Sequence, residues 1–402
     1  MAYHDEAGHP RRGLGTRVAS ALETRRGGAS HLDALDGIRG VAVTFVFFVH
    51  YHPWISRYLP AGTMREVSAR LADVGNSGVD LFFVLSGFLI YGGLLRRPQP
   101  FGSFMQRRLQ RLYPTIIVVF VPVLLIELAR GAPTLQSGAG AVPNLLGNLL
   151  LLAGFLPLEP LIVVAWTLSW EIVFYLLTPA VFRFGRLHER TRGQRLAIVG
   201  IVWGLVSLSG AIRGVGNARM LMFLGGVAIA EWYAARHARP AHAPVLLRRL
   251  GALAAVVAPV ACYVLTYGGR LLADDDGVVN VEYGRQGGAA WVRLGVLFLT
   301  VPLILASVVD GRGGVARVAA RRPLRWLGIV SYSYYLIHAL VIRFAGEAAL
   351  RIVEPSGHRA GAWWWVALLP TFLATVVASV VLFLVVEKPC SLDPDPPVTV
   401  LP

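Results

Sequence analysis

Residues 38–54 read Ile38-Arg39-Gly40-Val41-Ala42-Val43-Thr44-Phe45-Val46-Phe47-Phe48-Val49-His50-Tyr51-His52-Pro53-Trp54. From Gly40 to Val49 the run is apolar but for one threonine. With Asp36 just ahead of it and Pro53 near its end, it has the composition of a helix that crosses a bilayer. Bringing an imidazole to that depth costs desolvation, and ionisable groups are seldom kept there without a task. His50 is therefore the first candidate for chemistry.

The rest of the chain repeats the pattern. Hydrophobic residues make up 55% of the 402, above the share of a soluble domain, so the expected fold is all-α and polytopic in a cell (plasma) membrane. Apolar segments stand near 38–55, 77–95, 114–130, 143–157, 166–184, 196–213, 218–235, 250–268, 291–309, 327–345 and 362–386, against the roughly 20 residues a helix needs to cross. Segment 143–157 is the odd one, short and bracketed by Pro143 and Pro157. As a re-entrant dip it leaves ten spans with both termini cytosolic; as a span it moves every later loop to the other side.

Lys and Arg in short loops stay on the cytosolic side. With ten spans the inner face receives Arg11, Arg12, Arg17, Arg25 and Arg26, then Arg96, Arg97, Arg107, Arg108 and Arg111, then Arg183, Arg186, Arg190, Arg192 and Arg195. It also receives Arg236, Arg239, Arg248 and Arg249, then Arg312, Arg317, Arg321, Arg322 and Arg325, and Lys388. The outer loops hold roughly half as many basic residues, with the acidic run Asp274-Asp275-Asp276. About ten transmembrane helices plus a short re-entrant segment follow from this distribution.

Residues 1–30 are polar and Arg-rich without the apolar core of a signal peptide, and are expected to form a disordered cytosolic tail. Residues 31–390 then make up the membrane domain, and 391–402 a short cytosolic tail. The net charge of +15 is accounted for by the inner loops and contact with anionic membrane lipid. No basic stripe interleaved with stacking aromatics speaks for nucleic acid. Cys262 and Cys390 fall in different compartments and are not expected to pair. No ligand spacing suggests a metal.

On a helix rising about 1.5 Å per residue, His50 lies fourteen residues past Asp36, roughly 20 Å into the bilayer. His338 is thirteen residues past Arg325, and Glu171 is twelve before Arg183 on a span running the other way. Depth counting puts the three in one layer. Singly, each has a structural reading: a histidine bonded to a neighbouring carbonyl, a glutamic acid locking two helices. Together they suggest a polar site, since intramembrane ionisable residues gather around a cavity or pathway. The imidazole is the natural general base, and a carboxylate beside it can hold its tautomer.

At the inner mouth of the third span, Phe104-Met105-Gln106-Arg107-Arg108-Leu109-Gln110-Arg111-Leu112-Tyr113-Pro114 sets Arg108 and Arg111 on one helical face and Arg107 and Arg111 on an adjacent one. Guanidinium forks suit phosphate, although the positive-inside bias places arginines here in any case. A third stretch, Gly78-Val79-Asp80-Leu81-Phe82-Phe83-Val84-Leu85-Ser86-Gly87-Phe88, holds Asp80 near the outer end of the second span. Its Ser86-Gly87 pair is small enough for close helix approach.

These blocks resemble the acyltransferase 3 family of integral-membrane O-acyltransferases. The likeness runs through Leu35-Asp36-Gly37-Ile38-Arg39-Gly40 to His50, through 78–88, and through Arg107-Arg108-Leu109-Gln110-Arg111-Leu112-Tyr113-Pro114. It continues in Trp166-Thr167-Leu168-Ser169-Trp170-Glu171 with Tyr175 and Pro179, in Ser331-Tyr332-Ser333-Tyr334-Tyr335-Leu336-Ile337-His338, and in Glu387-Lys388-Pro389. The resemblance implies about ten transmembrane helices, an acyl-CoA donor, typically acetyl-CoA, entering from the cytosol, and a hydroxyl acceptor on a sugar, glycan or natural product. It carries the catalytic role to His50, with Glu171 and Asp36 beside it, and donor binding to the Arg108 and Arg111 pair, with Arg107 adjacent. Asp80, Ser86, Trp166, Tyr335 and His338 take supporting or substrate-facing roles.

Two schemes fit: His50 deprotonates the acceptor for direct attack on the thioester, or it carries the acyl group itself. Members of the family often carry a fused extracytoplasmic SGNH-type domain, and none is expected here. That leaves action alone, with a separate extracytoplasmic partner, or on a small diffusible acceptor such as a macrolide. Arginine in place of lysine, with abundant Ala and Gly, fits a high-GC bacterial source. The contrasting class is a proton-coupled transporter, with the buried His, Glu and Asp as its pathway; no pair of interrupted helices in matching halves speaks for it.

Overall fold

The computed structural model describes residues 22, 30–132, 140–156, 158–211, 218–237, 245–265, 272–273, 279–280, 288–309, 311–352 and 360–391. The expected tails and the acidic run at 274–276 therefore lie outside the described residues, except for 22, 30 and 391. Leu22 is helical and buried in the same apolar cluster as Val43, Phe47 and Tyr51.

Among the described residues the regular structure is helical apart from one two-residue antiparallel pair, Leu272–Ala273 with Val279–Asn280. Helix α1 (Ser30–Ser56) is the hub. Against it pack α2 (Thr63–Gly75) and α3 (Ser77–Ser86), the latter continuing through a π turn, Gly87–Tyr91, into Gly92–Arg96. Then come α4 (Phe101–Ala129), α5 (Ala141–Leu149), α6 (Ala165–Phe184), α7 (Arg192–Ala211) and α8 (Met222–His237). The hairpin α9 (Val245–Leu265) and α10 (Gly288–Val308) leads to the short α11 (Gly314–Ala319) and α12 (Arg322–Ile329). Helices α13 (Ser331–Ile352) and α14 (Ala360–Leu382) close the chain, α14 passing through a second π turn, Phe383–Glu387.

Helices α11, α12 and α13 also lean on α1, and glycine makes the α12 crossing possible. A Cβ on Gly40 would sit 2.0 Å from the Leu324 carbonyl oxygen, and one on Gly328 would sit 1.7 Å from that of Asp36. The two backbones therefore touch, as small residues permit between membrane helices. This gives the Asp36-Gly37-Ile38-Arg39-Gly40 block a packing role: it fixes how α1 meets the segment that leads into α13.

Among the described residues, seven helices are long and apolar enough to cross a bilayer, or eight if α12 and α13, bent by 82° at their junction, form one broken span. Ten spans would add α7 and α8, and α8 has only 16 residues, about 24 Å of helix against a core of ~30 Å. Lipid-facing stripes are plain on the outermost helices. Ile117, Val121, Leu125 and Leu128 are exposed on α4, as are Leu369, Leu373, Val377 and Val381 on α14; in water such stripes would be a liability.

Segment 143–157 does not form a long helix. α5 has 9 residues, about 13 Å, too short to cross alone. The chain beyond it folds back, stitched by the buried Asn148: its amide donates to the carbonyls of Asn144 and Glu159, at 3.0 and 2.8 Å, and its Oδ1 accepts from the Leu161 amide at 2.8 Å. Irregular backbone at membrane depth needs such internal partners.

Candidate active site

His50 on α1 and His338 on α13 meet, although 288 residues separate them in the chain. Their ring centroids are 4.9 Å apart with planes at 66°. His338 is fully buried, whereas His50 keeps some accessible surface. His338 Nδ1 lies 2.8 Å from the Tyr335 carbonyl oxygen and 3.2 Å from that of Tyr334. Carbonyls only accept, so Nδ1 carries the proton.

A cavity of about 820 Å³, counting the space open at its mouth, lies between α3, α4, α6 and α13. Arg39, Arg108, Arg111, Ser86, Glu171 and Tyr175 all line it. Thr167 and Tyr335 also line it, with hydroxyl oxygens 2.7 Å apart. The Tyr335 ring is 5.9 Å from that of His338. The two histidines thus stand behind the cavity wall, one aromatic ring away from the space the arginines face.

The Arg108 guanidinium rests over the rings of Phe104 and Tyr175, at 5.3 and 5.5 Å from their centroids, a cation–π arrangement. Its Nε is buried and makes no hydrogen bond among the described residues. A buried donor without an acceptor is costly, and an incoming anion would relieve it. Arg107, which the sequence places on the adjacent face, instead donates to Gln99 and does not line the cavity. Arg39 was not singled out by the sequence as a cavity residue; its signal was there, three residues past Asp36 in the first block.

Glu171 does not join the histidines. It accepts from Ser86 Oγ at 3.1 Å and from the Tyr175 hydroxyl, on the arginine side of the cavity. Thr167, one turn earlier on α6, already meets Tyr335, which precedes His338 by three residues. Glu171 is thus displaced by about 10 Å along the helices from the histidine pair. Depth counting from the loop arginines treats each span as straight and unbroken, whereas the count from Arg325 to His338 crosses an 82° bend. Asp36, expected beside His50, is about 21 Å from it along α1 and pairs with Arg39 at 3.8 Å; it cannot touch the same reacting atoms.

Asp80 is fully buried and forms a two-pronged ion pair with Arg219, Nε to Oδ1 and Nη2 to Oδ2, both 2.9 Å. Asn76 takes other donors of Arg219, on its Oδ1 at 3.0 Å and its carbonyl oxygen at 2.5 Å. Arg219 is missed by sequence reading, because it looks like a residue of a short loop; here it locks α3 to the start of α8. Trp166, on the first turn of α6, does not line the cavity and presses its carbonyl on Gly154 of the folded-back segment. Glu387 pins α14 to α13, accepting from the Ser333 amide at 3.2 Å and hydroxyl at 2.6 Å. Among the described residues no cluster of His, Cys, Asp and Glu is placed to hold a metal ion.

The model of one family, described as an acyltransferase domain, matches residues 32–384. The acyltransferase MdmB of Streptomyces mycarofaciens is 26% identical over 89% of this chain and 91% of its own length. The exopolysaccharide production protein ExoZ of Rhizobium meliloti is 28% identical over 79% of the chain and 89% of that protein. A Staphylococcus aureus protein named as an O-acetyltransferase is 25% identical over 78% of the chain, which spans about half, 51%, of that larger protein. No solved structure matches the chain significantly.

Proposed function

The chain belongs to the acyltransferase 3 family and is a multi-pass membrane acyltransferase, and from that premise we propose that it moves an acyl group, acetyl in the first instance, from coenzyme A to a hydroxyl of a carbohydrate or glycosylated product at the plasma membrane. One observation carries the donor assignment: Arg108, Arg111 and Arg39 face one cavity, and Arg108 offers it a buried, unpartnered donor. Guanidinium groups bind phosphate through charge-assisted, paired hydrogen bonds, and coenzyme A is rich in phosphates. The positive-inside bias puts this mouth on the cytosolic face, where that thioester is found. Ten spans, with α7 and α8 among them and α5 re-entrant, keep both termini on the same side.

His50 lies eleven residues past Arg39 on α1, about 16 Å, a distance that the extended pantetheine arm covers. In direct transfer, the lone-pair nitrogen of His50 takes the acceptor's O–H proton while that oxygen attacks the thioester carbonyl carbon. The C–S bond breaks, and the leaving thiolate takes the proton from the imidazolium. In the relay, His50 attacks the carbonyl carbon itself and the C–S bond breaks to give an acyl-imidazolium and thiolate; the acceptor oxygen then attacks that acyl carbon, the C–N bond breaks with its pair returning to the imidazole, and the acceptor's proton passes to the thiolate. Both use a neutral His50 with an accessible lone pair. The carbohydrate acceptor is supported by the name of one relative, a protein of exopolysaccharide production.

The test is acceptor-dependent release of coenzyme A thiol by the purified protein, with acetyl-CoA and a panel of free sugars, oligosaccharides and glycosylated macrolides. Release above the hydrolysis blank with at least one hydroxyl acceptor, and formation of its ester, is expected. Absence of any acceptor-dependent release with acetyl-, propionyl- and longer acyl-CoA would overturn the assignment.

A further inference from the structure

Among the described residues, the group that stands against His50 is a second histidine rather than a carboxylate. A general-base imidazole needs two things from its surroundings: one nitrogen must keep its proton turned away from the reactants, and the cation formed on protonation must have an acceptor. Glu171 and Asp36 are both too far along their helices to supply these, as shown above. His338 is in the right place. Its Nδ1–H is committed to the Tyr335 and Tyr334 carbonyls at 2.8 and 3.2 Å, which fixes the tautomer and leaves Nε2 as a bare lone pair. That Nε2 is fully buried and has no hydrogen-bond partner among the described residues. The neighbouring His50 ring packs edge-to-face against the His338 ring, with 4.9 Å between ring centroids and 66° between planes. Tyr334 also stacks with His338, centroids 5.9 Å apart and planes at 12°.

Resting on the assignment of His50 as the reacting imidazole, we infer that His338 is its positioning residue: Nε2 of His338 accepts the N–H of His50, forcing the other nitrogen of His50 to present its lone pair to the substrates. When His50 takes the acceptor's proton it bears two N–H groups, and His338 continues to accept one of them while the other is handed to the leaving thiolate. The Nδ1 proton of His338 never moves. A neutral histidine thus does the work that a carboxylate does beside other catalytic histidines, without placing a second formal charge at membrane depth, where each charge is expensive.

The test compares two substitutions of similar bulk in the full-length protein. His338→Gln keeps an accepting oxygen where Nε2 stands, and His338→Phe keeps a flat ring without an acceptor. The dyad predicts that His338→Phe lowers kcat by about 10²–10³-fold, within the range of general-base catalysis, with KM for acyl-CoA unchanged, and that His338→Gln recovers kcat to within about tenfold of wild type. Equal loss in both variants, or loss expressed in KM, would mean that His338 only packs, and overturns the inference. Because either variant could fail to fold, nitrogen-15 NMR of histidine-labelled wild-type protein gives an independent reading. His338 should appear as the Nδ1–H tautomer with a hydrogen-bonded Nε2, and an Nε2–H or doubly protonated ring overturns the dyad. His50→Ala separates the two levels: activity surviving it removes His50 itself, whereas an inactive His50→Ala beside a fully active His338→Phe removes only the dyad.

Discussion

Removing Asp80 strands a buried guanidinium. Arg219 is 6% exposed and Asp80 wholly enclosed, with two N–O contacts of 2.9 Å between them. In Asp80→Ala the arginine loses its carboxylate counter-charge while Asn76 still accepts from it, and a buried charge left without its counter-ion costs about 3–5 kcal/mol. The double variant Asp80→Leu with Arg219→Met removes both charges together with their desolvation penalty, and exchanges of that sort are often neutral or stabilising by about 1–4 kcal/mol. The double variant should therefore lie well above the sum of the two single losses, in the manner of strongly coupled neighbours. Thermal unfolding of detergent-solubilised protein, followed by tryptophan fluorescence and by recovered folded yield, measures this, and acyl transfer by the same samples measures function. Additive losses would refute the ion-pair account. A stable double variant with no turnover would show that Asp80 meets substrate rather than holding α3 to α8.

Arg108→Lys and Arg111→Lys should each weaken coenzyme A binding by roughly ten- to a hundredfold, since guanidinium contacts contribute about 1.5–3 kcal/mol; calorimetric titration reads this, and unchanged affinity in both removes the donor site. Arg107→Lys, whose parent side chain is turned to Gln99, should titrate like wild type. For topology, single cysteines at Ala61 and Glu159 in a background lacking Cys262 and Cys390 should react with an impermeant thiol reagent on intact cells, and those at Gly193 and Gly314 should not. Labelling of the second pair in place of Glu159 would mean that 143–157 crosses. Gly328→Ala, whose Cβ would fall 1.7 Å from the Asp36 carbonyl oxygen, should force α12 off α1 at a cost of about 1–3 kcal/mol, read as a lower unfolding temperature with coenzyme A affinity unchanged.

What could be read from the chain was local. The apolar run ending at His50 is a helix because its side chains demand lipid, and the i, i+3 spacing of Arg108 and Arg111 sets both on one face whatever the tertiary fold. Which of two adjacent faces holds the arginine site could not be read, since it depends on Gln99 drawing Arg107 away. Of the pairings across the chain, depth counting brought His338 to the layer of His50, where the two rings meet, whereas nothing near Asp80 announces Arg219. Glu171 shows the limit of counting residues from a loop. The 82° bend before Ser331 and the π turns at Gly87–Tyr91 and Phe383–Glu387 each change the register that such counting assumes constant. That 143–157 is short and bracketed by two prolines could be read from the chain, whereas the asparagine that stitches the segment could not.

Catalysis by His50 is the centre of this account, and one measurement reaches it most directly: transfer of radiolabelled acetyl from acetyl-CoA to a hydroxyl acceptor by purified wild-type and His50→Ala protein, each first shown to be folded and to bind coenzyme A. Wild type should form labelled ester with one thiol released per ester, and His50→Ala should fall by about 10²–10⁴-fold while binding the donor normally. Ester formation by His50→Ala at more than about a tenth of the wild-type rate, below the loss expected of a general base, would contradict the assignment, as would substrate counterflow by the wild type without any acylated product.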